Sequence, residues 1–247
     1  MSVINYERHS PSSLNLFAAS PAMFTLERII GVRQPVGVPA HRGVAVEEGV
    51  ALGLLTPDVP LEACVAVAFT RYDTLTAMSA DERREKYRVT IPDMIHRALI
   101  ELRGYGTPSR AQGFVEWQPE GLKLPIVGIF DFEFADSGVI VDLKTTERMP
   151  FEVKIPHARQ VALYVAATRN NYEGRLSYVT PKKAATYRLE NMPEHLKALH
   201  QIALRVENFL SLSDDPEFFK SITVPDLESF YWTSPAARQL AYELWKI

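Results

Sequence analysis

Along the chain the hydrophobic positions keep two different periods. From residue 10 to about 105 they recur three and four apart, the spacing of a helix face. "SPSSLNLFAASPAMFTLERI" opens with Ser and Pro in capping positions and spaces Leu14, Phe17 and Phe24 over one or two short helices. "HRGVAVEEGVALGLL", "LEACVAVAFTRYDTL" and "PDMIHRALIELRGYG" read as further helices, with the charged "SADERREKYR" as a solvated helix face or loop. Gly43, Gly49 and Gly53 weaken the first of these. The alternation of strands then takes over in "GFVEWQ", "LPIVGIFDFEF" and "VIVDLKTT". A helix over "HARQVALYVAATRN" follows, then strands "RLSYVT" and "TYRLE" around "PKKAA", a long helix across "EHLKALHQIALRVENFLSL", a Pro-punctuated stretch and a last helix, "AARQLAYELWKI". After the helical prelude the order is αβββαβ, which predicts an α/β fold.

One hairpin breaks the pattern. In "GIFDFEFADSGVIVDLKTTE", residues 128–147, Phe130, Phe132 and Phe134 take one face of the first strand and Asp131 and Glu133 the other. On the second strand Val139, Val141 and Leu143 oppose Asp142 and Lys144. Asp136-Ser137-Gly138 is a turn signal. If residues 136 and 137 form the loop, Asp131 sits across from Asp142; another loop length pairs Asp131 with Lys144 and Glu133 with Asp142. Either way acids face each other, and like charges opposed across a ladder are destabilising. The face is therefore fully solvated, as polar-out alternation allows, or filled by a cation.

Composition narrows the options. The 247 residues suffice for a substantial core. The formal net charge of -3 gives no global basic footprint, so any nucleic-acid contact has to come from a local patch or through metal ions. One cysteine, Cys64 in "ACVAVAF", excludes an internal disulfide, an all-cysteine zinc site and an all-cysteine iron-sulfur cluster, and reads as a buried small hydrophobe. No apolar run approaches about 18 residues and the start has no signal-peptide pattern, so a soluble protein of the cytoplasm is the expectation.

Asp131 followed by Asp142-Leu143-Lys144 matches the D...(D/E)xK pattern of the PD-(D/E)XK nuclease superfamily, with Ile129-Phe130 standing where many relatives have the proline. Gln160 and Tyr164 in "RQVALY" are four apart and share a helix face; alone they read as a polar edge on a packing helix. "VIVDLKTT" followed by "HARQVALYVAA" resembles the RecB-type and lambda-exonuclease-type branch, where a QxxxY helix follows the active-site strand. "SPSSLNLFAASPAMF" is similar to the opening of RecB-like nucleases, with Ser20 in place of the usual Cys, which argues against an iron-sulfur cluster. "RGVAVEEG" looks like the motif in which a Gly, here Gly43, precedes a metal-binding residue by four positions. That makes it Glu47, with Glu48 as a competitor.

The resemblance implies a restriction-endonuclease-like core, a central mixed sheet flanked by helices, in a single nuclease domain over 1–247. Residues 1–112 would be its mainly helical part carrying Glu47, 113–190 its catalytic sheet and QxxxY helix, and 191–247 its C-terminal helices. It implies that Glu47, Asp131, Asp142 and the backbone carbonyl of Leu143 bind one or two Mg²⁺ or Mn²⁺ ions, hard cations suited to oxygen ligands. Lys144 would orient the attacking water or stabilise phosphate charge, or, with a lowered pKa, accept a proton; a salt bridge to Asp131 or Glu133 is the structural alternative and is compatible with these roles. Gln160 and Tyr164 would border the site. Ser12 and Ser13, at a helix start, would receive a terminal phosphate unless they are an ordinary N-cap. Arg42, Arg159, Lys182 and Lys183 would contact the DNA backbone, or else be solvated surface cations. His41 and His157 flank the motifs and read as structural. Trp117, Phe230, Tyr231 and Trp232 read as core more economically than as base-stacking residues.

The expected activity is metal-dependent exonucleolytic hydrolysis from double-stranded DNA ends, in phage-type or bacterial recombination or repair. A homo-oligomeric ring and a single-strand annealing protein are implied as partners, without any membrane. The alternatives are an endonuclease or single-strand or flap nuclease of the same fold, and a non-catalytic DNA-binding or assembly module.

Overall fold

The computed structural model describes residues 4–168 and 171–247. Its helices before the sheet are α1 (Pro11–Ala19), α2 (Pro21–Phe24, continued by a π-helical turn over Thr25–Ile30), α3 (Val38–Leu55), α4 (Leu61–Leu75), α5 (Arg84–Arg88) and α6 (Ile91–Leu102). Three strands follow, β1 (Arg110–Trp117), β2 (Ile126–Phe134) and β3 (Val139–Thr145), then α7 (Ile155–Thr168), β4 (Glu173–Val179) and β5 (Ala184–Arg188). α8 (Met192–Leu210), α9 (Pro216–Ile222) and α10 (Pro235–Trp245) complete the order. The five strands form one sheet in chain order, with β2 and β3 antiparallel, β3 and β4 parallel, and β4 and β5 antiparallel. The parallel step is the one that needs a crossover, and α7 supplies it. The expected α/β architecture with a mixed sheet flanked by helices is what the chain adopts.

The described chain divides into two compact units, one of residues 36–115 and 129–192 and one of residues 1–35, 116–128 and 193–247. In the first, α6 is the plainest case of sequence making structure. Its buried residues Ile91, Met94, Ile95, Ala98, Leu99 and Leu102 fall on one helical stripe, and each large aliphatic among them is worth about 1.5–3 kcal/mol of burial. They pack with Val46, Val50 and Leu54 of α3, Cys64 and Ala68 of α4 and Phe132, Phe134, Val141 and Leu143 of the sheet. Cys64 is fully buried, as its apolar context predicted.

Two of the three glycines of α3, Gly49 and Gly53, have a packing reason. A Cβ on Gly49 would come within 2.7 Å of the Cys64 carbonyl and of Ile95, and one on Gly53 within 2.9 Å of Leu99. Their helix-weakening effect is the cost of bringing α3 close to α4 and α6. Of the two alternatives for "SADERREKYR", a solvated helix face is what residues 84–88 form. α5 buries Tyr87, and Asp73 receives the guanidinium of Arg88 at 2.9 Å.

In the other unit His9 is fully buried, and its Nε2 donates to Glu207 at 3.2 Å while the Tyr6 hydroxyl lies 3.0 Å from Nδ1. The Glu207 carboxylate also accepts from the backbone N–H groups of Lys123 and Leu124. Phe17, Phe209 and Phe219 form an aromatic chain, and Trp232 packs edge-on to Trp245 with its indole N–H toward Ser20. Trp232 is core, as expected, whereas Phe230 is 83% exposed and departs from that expectation.

Candidate active site

The β2–β3 hairpin pairs Phe132 with Val141, Glu133 with Ile140 and Phe134 with Val139. Its turn over residues 135–138 closes with the Gly138 N–H donating to the Ala135 carbonyl at 3.1 Å, and Gly138 takes φ +63, which a side chain would strain. This is the register that makes Asp131 and Asp142 the next positions along the two strands. A side chain bridges the strands there: the Leu143 N–H donates to Oδ2 of Asp131 at 2.6 Å. Asp131 thus serves as an acceptor at the point where the acids meet.

Asp142 is entirely buried. Its Oδ2 lies 2.6 Å from Nζ of Lys144 in an ion pair, and neither carboxylate oxygen has a hydrogen bond of good geometry. A buried carboxylate without hydrogen bonds is costly and asks for a cation. Burial works to lower the Lys144 pKa, but Asp142 and Asp131 outweigh it and hold the ammonium at about 12. Lys144 is therefore a fixed positive charge at neutral pH.

α3 brings Glu47 to the same place. Its carboxyl lies against that of Asp131. Burial raises the pKa of Glu47, of Asp131 and of Asp142; the neighbouring carboxylates Asp142 and Glu47 push Asp131 further, well above the ordinary range. Glu48, one position along the helix, instead faces outward to Arg71 at 3.3 Å. Glu133 is separated from the cluster chemically, its carboxylate being taken by Arg110 at 2.6 Å.

α7 supplies Gln160 and Tyr164 as a pair, Gln160 Nε2 donating to the Tyr164 hydroxyl at 2.5 Å. Tyr164 is 2% exposed and packs edge-on to Phe130. Burial first and Asp142 next raise its pKa, so it remains a neutral phenol. His157, one turn earlier, has Nδ1 2.8 Å from the Tyr178 hydroxyl, and Tyr178 pairs with Lys144 across β3 and β4. The His157–Tyr178 contact next to Lys144 was absent from the sequence reading, because it depends on a strand pairing that no local pattern announces.

The nucleic-acid candidates separate. Arg42 is 2% exposed, and its guanidinium meets Glu147 at 2.8 Å, donates to Thr90 at 3.2 Å and lies 4.7 Å from the Tyr87 ring centroid. It is folded into the protein, a correction to its assignment as a backbone contact. Ser10 is the N-cap of α1; Ser13, at the third helical position, completes its capping box, and Ser12 bonds Ser10. Arg159 is half-buried on α7, whereas Lys182 and Lys183 are exposed in the β4–β5 turn.

Among the described residues no three His, Cys, Asp or Glu side chains stand as a ready-made cation cage. The donor chemistry nevertheless fits a hard divalent ion. Three carboxylates act on one another, those of Asp131 and Asp142 buried and that of Glu47 half-buried, and Asp142 meets Lys144 in its ion pair. In the arrangement seen, the Lys144 ammonium supplies positive charge to Asp142.

No curated protein matches the chain. A solved structure titled "Crystal structure of SSO0001" aligns at 14% identity over 77% of this chain and 96% of that one, with a TM-score of 0.35, too low to carry an argument. The sequence model of the PD-(D/E)XK nuclease superfamily, in contrast, matches residues 8–234, a span that contains all three carboxylates, Lys144 and the α7 pair. On that match the chain belongs to the PD-(D/E)XK nuclease superfamily, a membership that implies a metal-dependent nuclease acting on DNA.

Proposed function

We propose that the protein is a metal-dependent DNA exonuclease that hydrolyses phosphodiester bonds from double-stranded ends, with Glu47, Asp131, Asp142 and Lys144 as its centre. The observation that carries the reading is the meeting of three carboxylates beside a lysine ammonium, with Asp131 and Asp142 buried and Asp142 in an ion pair with Lys144. A protein that only bound DNA would gain nothing from such a cluster, which repels phosphate. The exonuclease branch rests on the order Gly43–Glu47, Asp131, Asp142-x-Lys144 and Gln160-x-x-x-Tyr164, which resembles the RecB-type and lambda-exonuclease-type pattern.

Glu47, Asp131 and Asp142 would hold one or two Mg²⁺ or Mn²⁺ ions, together with the Leu143 carbonyl. Such ions supply an activated water and neutralise charge on the phosphate. Lys144, an ammonium in the metal-free site, donates to the water or to a phosphate oxygen. Gln160 orients the Tyr164 hydroxyl beside the carboxylates, and Tyr164 stays protonated to donate. Lys182 and Lys183 offer exposed charge to the DNA backbone.

The test compares a linear 5'-phosphorylated duplex with a closed circular one in Mg²⁺. Loss of the linear form alone supports an exonuclease. Nicking or cutting of the circle moves the assignment to an endonuclease of the same fold.

A further inference from the structure

The loop over residues 146–154 leaves the sheet directly after Lys144 and Thr145 and enters α7, the helix of Gln160 and Tyr164. It is fastened at several points. The Thr146 N–H donates to the Val179 carbonyl at 2.9 Å, and Glu147 pairs with Arg42 at 2.8 Å. The Tyr187 hydroxyl donates to the Pro150 carbonyl at 3.0 Å, and the Lys154 N–H donates to the Tyr178 hydroxyl at 3.2 Å. Tyr178 pairs with Lys144 across β3 and β4, so the last of these ties sits on the neighbour of Lys144.

Between the Pro150 and Lys154 ties stands Phe151, fully exposed. A free loop exposes a phenyl ring only for want of anything better, but this loop is held on both sides of the ring and keeps it in water. Ile155, at the start of α7, is 57% exposed and extends the apolar surface. Arg148 and Lys154, three residues to either side of Phe151, are exposed cations, with exposed Glu152 partly opposing them.

We propose that Phe151 is a stacking platform for an unpaired base of the DNA strand whose backbone enters the Glu47, Asp131, Asp142 and Lys144 centre. The proposal rests on the nuclease reading above and adds the feature of the substrate that is recognised. Bases inside a duplex have both faces covered by their neighbours. A phenyl ring therefore selects a frayed or single-stranded end, while Arg148 and Lys154 meet the phosphates on either side. Stacking of this kind tolerates any base, since every base has a π-face.

Binding in EDTA separates recognition from cleavage. The probes are a single-stranded oligonucleotide carrying 2-aminopurine near its end and a blunt duplex of the same sequence, with wild type, Phe151→Ala, Phe151→Leu and Phe151→Trp. Wild type and Phe151→Trp should quench the fluorophore. Phe151→Ala and Phe151→Leu should lose the quench and about tenfold of single-strand affinity, with duplex affinity changed less than about twofold. Because the ring touches solvent, the melting temperatures should agree. Equal single-strand affinity in wild type and Phe151→Ala, with wild type still cutting DNA in Mg²⁺, overturns the stacking assignment and leaves the nuclease standing. An equal loss on both probes also overturns it, since a stacked base is then not what is read. If wild type neither binds nor cuts any DNA, the nuclease reading falls and the stacking assignment falls with it.

Discussion

Lys144 and Asp142, two residues apart on one strand, form an ion pair at 2.6 Å in which the carboxylate is wholly buried and the lysine keeps a quarter of its side chain exposed. The lysine thus stabilises the acid from the solvent edge of the site. Replacing Lys144 with Ala strands a buried charge, a change that typically costs about 3 kcal/mol or more. We expect Lys144→Ala to fold with a reduced urea midpoint and to lose cleavage. Unchanged stability would show that Asp142 finds another cation.

The three carboxylates oppose one another without a metal. Asp131 is raised by burial first, then by Asp142 and Glu47. A carboxyl raised in this way contributes stability that is fully present below its ordinary pKa and is lost as pH rises through the folded value. At neutral pH Asp131→Asn should therefore stabilise the metal-free protein, by about 1 kcal/mol or more. Mg²⁺ or Mn²⁺ at 100 times its dissociation constant should stabilise wild type by about 2.7 kcal/mol and Asp131→Asn far less. Thermal melts in EDTA and in metal check both directions.

His157 carries the opposite sign. Burial, then Lys144 and Lys154, lower its pKa from 6.5 to about 4. The unfolded chain therefore binds the proton first, and the stability contributed by this group is present above pH 6.5 and lost as pH falls toward 4. The difference in stability between wild type and His157→Gln, followed by urea denaturation from pH 7.5 to 4.5, should shrink across that window. A constant difference would show that His157 is not held neutral.

Lys182 and Lys183 should act on binding, Arg42 on folding. Removing both lysines should lower the slope of DNA affinity against salt by about 2 and leave the melting temperature alone. Arg42→Ala should do the reverse, with a loss of about 2 kcal/mol from its buried contacts to Glu147, Thr90 and Tyr87. Salt titrations of affinity beside thermal melts separate the two.

Periodicity and charge were enough to read the hairpin acids, because an acid at a strand position that has to face other acids is visible in any register. They were not enough to choose between Glu47 and Glu48. Adjacent helical residues point about 100° apart, and only the packing of α3 against its neighbours decides which one turns inward. Arg42 was misplaced for a similar reason: a guanidinium buried against Tyr87 and Glu147 reads in sequence as one more basic residue near a motif. Gly49 and Gly53 weakened the helix reading, although their contacts with Cys64, Ile95 and Leu99 are what the small residues permit. Phe151 left no mark either, since an aromatic in a loop is indistinguishable from a core residue until its exposure is known.

Cleavage of a linear 5'-phosphorylated duplex by wild type, Lys144→Ala and Asp131→Asn, in Mg²⁺ and in EDTA, tests the centre most directly. Degradation by wild type in Mg²⁺ alone, with both variants folded and inactive, is the predicted result. Full activity in either folded variant would contradict the assignment of Asp131 and Lys144 to the site where the phosphodiester bond is broken.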